Sequence, residues 1–101
     1  MLNIKNEEEK FLTFISDMID YWNGDNVCGD QKYRMEGLAF SILSHIDGSS
    51  GEPYALIPYE ENGSRYDFYL DNDISGCLHE KFFEIHRENS KQKENNKEET
   101  A

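Results

Sequence analysis

The stretch Asp71-Asn72-Asp73-Ile74-Ser75-Gly76 has the most site-like spacing in the chain. Oxygen-bearing side chains at positions 1, 3 and 5, then a turning glycine at 6, match the first half of a calcium loop. Leu78 falls at its apolar position 8, but position 12 is Phe82, where the loop needs a glutamate to supply two oxygens. Asp71, Asp73 and Ser75 are therefore weak metal candidates. A strand-to-helix turn, in which Asp and Ser cap the helix and Gly permits the bend, accounts for the same residues. No cofactor is assigned.

His79, Glu80, Glu84 and His86 follow. Their H-E-x5-H spacing is not the H-E-x-x-H of zinc proteases, and the two imidazoles stand two turns apart, about 10 Å along a helix. Cys77 with His79 would need two further ligands from elsewhere. The role expected of His79 is a partly buried helix residue bonded to a backbone group or a carboxylate. Cys28 or Cys77 beside His45, His79 or His86 would meet a thiol nucleophile's need for a base, a pairing that any small chain of this composition offers by chance. There is no Gly-x-Ser-x-Gly elbow or dinucleotide fingerprint, and Gly48-Ser49-Ser50-Gly51 lacks the lysine of a phosphate loop. No catalytic residue is assigned. A minimal enzyme around His79 and Glu80 stands as an alternative, as does a small cation-binding domain on the Asp71–Gly76 loop.

A different chemistry lies in Tyr59, Glu60, Glu61, Asp67, Tyr69, Asp71 and Asp73, which cluster in sequence. Tyrosine packs well at interfaces, and spaced carboxylates suit a partner rich in Lys or Arg. Such carboxylates also imitate phosphates, so a nucleic-acid-binding protein is one kind of target. The competing account is a charged edge that prevents strand-to-strand aggregation.

Composition points the same way. Twenty-one acidic against ten basic side chains give a formal net charge of −11. That surface repels nucleic acid and anionic membranes, and it favours a basic protein. Residues 88–101 hold three lysines and four glutamates, a net −1, so −10 belongs to residues 1–87. The opening residues lack the apolar core of a secretory signal, and no apolar run is long enough to span a bilayer. With two cysteines, Cys28 and Cys77, read as free thiols, the expected compartment is the cytoplasm.

The elements that carry these residues follow from periodicity. Phe11, Phe14, Ile15, Met18, Ile19 and Trp22 predict a helix over 6–23, with Asn6 as its cap and Asn23-Gly24 as its stop. Met35, Leu38, Ala39, Ile42, Leu43 and Ile46 predict a second, central helix from Gln31 to Asp47, capped by Asp30. Gly37 inside it costs roughly 1 kcal/mol against alanine, which a close backbone crossing with the first helix would offset. Tyr54–Pro58 and Tyr66–Leu70 read as two strands around Asn62-Gly63. Tyr66, Phe68 and Leu70 would pack on the helices. Leu78, Phe82 and Ile85 mark a third helix over about 76–87, capped by Ser75. Residues 88–101 read as a disordered polar tail. The architecture expected is α+β, in the order α-α-β-β-α, a single domain over 1–87 with helices packed on a small antiparallel sheet.

Arg34-x-Glu36-Gly37-Leu38-Ala39-Phe40-Ser41-Ile42-Leu43, then Ile46-Asp47-Gly48 and Ile74-Ser75-Gly76-x-Leu78-His79-Glu80-x-Phe82, together with Tyr21-Trp22-Asn23, resemble a family of small uncharacterised bacterial and bacteriophage proteins. The likeness covers most of residues 20–83, and the chain is shorter than that pattern between Pro58 and Tyr66. It implies a genome context and no chemistry. It also singles out Gly37, Asp47, Gly76, His79 and Glu80 for testing together, with His79 and Glu80 expected near Asp47 or Glu36. The function expected is a non-enzymatic acidic protein-binding module, an inhibitor of a host factor or an immunity-type protein. Its partner would have a basic surface, with no direct contact to nucleic acid or membrane.

Overall fold

The computed structural model describes residues 2–49 and 51–100. The protein is α+β: helix α1 (Ile4–Trp22), helix α2 (Gln31–Ile46), strands β1 (Glu60–Asn62) and β2 (Arg65–Asp67), a 3-10 turn at Leu70–Asn72, and helix α3 (Leu78–Thr100). The chain divides into two compact units, Met1–Ile42 and Leu43–Ala101, with the boundary inside α2. No helix among the described residues is long and apolar enough to cross a membrane.

In the first unit, α1 starts one turn earlier than its apolar stripe suggests. Asn3, not Asn6, is the cap, and its Oδ1 accepts the Asn6 N–H at 3.3 Å. Phe11, Phe14, Ile15, Met18 and Trp22 are half-buried as the periodicity predicts, whereas Ile19 is exposed. Asp30 caps α2 through the Tyr33 N–H at 2.9 Å. Gly37 is buried, and its neighbour is a ring rather than a backbone: a Cβ there would come within 2.4 Å of the Trp22 indole. That indole donates from Nε1 to Ser41 Oγ at 2.9 Å, which fixes the ring over α2.

Arg34 ties the turn between the helices. Its Nη1 donates to the Trp22 and Gly24 carbonyls at 3.1 and 3.2 Å, Nη2 to Val27 at 2.7 Å and Nε to Gly29 at 3.3 Å. A guanidinium thus sits at the negative end of α1 and satisfies carbonyls that the helix and turn leave open. Val27, inside this loop, is the one buried apolar side chain among the described residues.

In the second unit the hairpin differs from its expected register. Strands at 54–58 and 66–70 are replaced by a ladder pairing Glu60 with Asp67, Glu61 with Tyr66 and Asn62 with Arg65. The reason is local: the Leu56 N–H donates to Asp73 Oδ1 at 2.8 Å and the Leu56 carbonyl accepts from Ile74 N–H at 2.9 Å, so this segment is already bonded. Pro58 then has no N–H for a ladder, and pairing begins beyond it. The turn centres on Gly63-Ser64, with Gly63 at φ +69°, the positive φ that a tight hairpin turn asks of its first central residue. Five of the six strand residues are exposed, so the hairpin buries neither face. Tyr66, Phe68 and Leu70, expected against the helices, are exposed as well.

Helix α3 half-buries Leu78, Phe82 and His86, four apart, with the His86 ring stacked on Phe82 at 5.5 Å. Ile85, expected on the buried stripe, is exposed. The helix continues through residues 88–100, a stretch rich in Glu, Lys and Gln, which are good helix formers. Ala101 lies outside the described residues.

Candidate functional site

Helix α3 begins with backbone N–H groups that no earlier turn can satisfy. One of them, that of His79, and the N–H of Gly76 just before the helix are met from a distance by Asp47, the residue after α2. Asp47 Oδ1 accepts the Gly76 N–H at 2.6 Å, and Oδ2 accepts the His79 N–H at 2.8 Å. The His79 imidazole lies on the same oxygen, Nδ1 to Oδ2 at 2.5 Å. The Asp47 carboxylate has no exposed surface, and His79 is one-fifth exposed. Burial pushes the Asp47 carboxyl upward. The hydrogen bonds from the His79 ring and from the His79 and Gly76 N–H groups, with the charge of His79, outweigh it and hold the group below its ordinary value. Glu80 stands on the other side of the ring, Oε1 to Nε2 at 3.9 Å, mostly exposed.

Of the cluster Glu36, Asp47, His79 and Glu80, the structure therefore brings Asp47, His79 and Glu80 together in the second unit. Glu36 belongs to the first. Chemically the pair can do two things. It can start and lock a helix, since the carboxylate takes three donors. It can also orient an imidazole by its Nδ1, the arrangement that leaves Nε2 to act as a base in acid–base catalysis.

The Asp71–Gly76 loop turns its oxygens on its own backbone. Asp73 Oδ1 accepts from both Leu56 and Ser75 N–H groups, at 2.8 and 2.9 Å, and Ser75 Oγ donates to the Tyr54 carbonyl at 2.7 Å. The Ser75 and Leu56 N–H bonds, in that order, lower the Asp73 pKa. Asp71 is exposed in the 3-10 turn. Ser75, expected to cap α3, holds the 54–58 segment instead, and Asp47 takes the capping role. Among the described residues no group of three or more His, Cys, Asp or Glu side chains is placed to hold a metal ion. Cys28 and Cys77 are free and exposed.

The hairpin forms the second candidate. Tyr59, Tyr66, Phe68, Tyr69 and Leu70 are 52% to 75% exposed, and Glu60, Glu61 and Asp71 are exposed among them. Tyr59 and Phe68 meet edge to face at 5.4 Å, bracketing the ladder. Asp67 is partly covered, with Arg65 at 3.7 Å and the Asn62 amide at 3.5 Å. Asp73 is exposed too, with Oδ1 taken up by the backbone N–H groups of Leu56 and Ser75. The sequence reading missed Tyr66, Phe68 and Leu70 as surface residues because alternation marks a shared face without saying whether anything covers it. It missed the Arg34 bonds because carbonyl acceptors leave no sequence signature. No protein-family model, curated protein or solved structure matches this chain.

Proposed function

We propose that this chain is a non-enzymatic, acidic protein-binding module that acts in the cytoplasm on a partner with a basic surface. The observation that supports it best is the hairpin, where aromatic side chains more than half exposed alternate with carboxylates. Large rings in water are costly unless a partner covers them, and the surrounding charge of −11 selects a cationic one. In a phage or mobile element such a module would inhibit a host factor or neutralise a toxin. The test is capture from a host lysate at low and high salt, with the wild type beside a Glu60→Lys/Glu61→Lys/Tyr69→Ala variant. A basic protein held by the wild type at low salt, and lost at high salt and with the variant, is the expected result. Nothing retained above a charge-scrambled control removes the reading.

The second reading is a minimal enzyme on His79 and Glu80, favoured by the Asp47 contact to Nδ1. Hydrolysis of activated esters that disappears in both His79→Gln and Asp47→Asn would support it. Turnover equal in wild type and His79→Gln would dismiss it.

A further inference from the structure

The hairpin is an incomplete sheet. It has two strands, so each has an outer edge with no ladder partner among the described residues. In a two-residue hairpin the pair flanking the turn, here Asn62 and Arg65, is hydrogen-bonded, and the pattern alternates from there. Glu60 and Asn62 therefore point their backbone groups at β2, and Glu61 points its N–H and carbonyl outward.

The register also places Glu60 directly opposite Asp67. Like charges across a ladder destabilise it. Arg65 at 3.7 Å touches only the Asp67 side of this pair. A ladder of three pairs with two facing carboxylates calls for added positive charge. The two edges differ: β1 carries Glu60 and Glu61 and no cation, whereas on β2 Arg65 offsets Asp67.

We infer that the partner binds as an extended basic segment that adds a third strand along the outer edge of β1. Its backbone bonds to Glu61, and its alternate Lys or Arg side chains lie on the face that carries Glu60 and, across the ladder, Asp67. The residues between those cations lie on the opposite face, with Glu61 and the exposed Tyr66 ring, which suits apolar side chains. This rests on the protein-binding reading above and specifies its geometry.

The probe is a short capped peptide alternating lysine and valine, compared with one of equal charge interrupted by proline. Both are titrated into the full isotope-labelled chain at low salt. Two variants remove the same charge: Glu61→Gln keeps the outward N–H, and Glu61→Pro deletes it without touching the ladder. We expect the alternating peptide to bind more tightly than the interrupted one and to slow exchange of the Glu61 amide. We expect Glu61→Pro to bind about fivefold more weakly than Glu61→Gln, the effect of one lost hydrogen bond. The amide exchange is read on the wild type, so it holds even if Glu61→Pro disturbs the hairpin. Equal binding of the two peptides, with no protection at Glu61, overturns the added strand and leaves the protein-binding reading standing. Failure of either peptide, and of any basic protein from the lysate, to bind overturns both.

Discussion

Asp47 gathers three donors on two oxygens, so its removal leaves the start of α3 without acceptors at Gly76 and His79. Asp47→Ala should lower stability by about 2 kcal/mol, read as a shift in the urea midpoint at constant slope. His79→Ala removes one of the three contacts, so the double variant should lose less than the two single losses together, with a coupling of about 1 kcal/mol. Strict additivity would mean that the ring contributes nothing to the cap. Acid should expose the same group. The pKa of Asp47 is lowered in the folded state, as is that of Asp73, so as pH falls the unfolded chain takes up protons first. Their stabilisation is present above the ordinary carboxylate value of 3.8 and is lost as pH falls through the lowered values. A thermal melt series should show a decline that starts near pH 4 and is shallower in Asp47→Asn; an unchanged acid limb would contradict the cap.

Among the elements, the helices were legible because their apolar residues recur every three or four positions over several turns. The ends of α1 and the register of the hairpin were not. The α1 start depends on Asn3 rather than on the equally suitable Asn6. The ladder depends on Asp73 capturing the Leu56 N–H seventeen residues away, which no local pattern records. Asn62-Gly63 located the hairpin, but the turn centres one residue later, on Gly63-Ser64. The Asp47–His79 meeting was suggested only by the family resemblance, since nothing in spacing alone joins residues 32 apart. Gly37 gives the sharpest test at this scale. On propensity alone Gly37→Ala should gain about 1 kcal/mol. The Trp22 ring occupies the space a methyl needs, so the variant should instead lose about 1–3 kcal/mol, with a change in tryptophan fluorescence. A gain in melting temperature would show that the indole moves aside at little cost.

For the whole molecule the dominant fact is charge. A chain of −11 repels itself when folded, and salt screens that repulsion, so sodium chloride should raise the melting temperature over the first few tenths molar. Calcium chloride at equal ionic strength separates screening from a site. With Asp73 Oδ1 already bonded to two N–H groups, the two salts should raise it to within about a degree of each other. A larger rise with calcium, abolished by Asp71→Ala with Asp73→Ala, would revive the cation-binding alternative.

The cap on α3 also bears on how fast the protein unfolds. Asp47 and His79 are 32 residues apart, and closing a loop of that length costs about 3 kcal/mol in chain entropy. The helix therefore cannot recruit its capping carboxylate early and cheaply, as a helix capped by its own preceding residue does. Its first turn becomes secure only after the hairpin and the 70–76 turn have folded back. In a chevron, Asp47→Ala should then steepen the loss by speeding unfolding while leaving the refolding limb nearly unchanged, which makes this one carboxylate a brake on opening rather than a seed for folding.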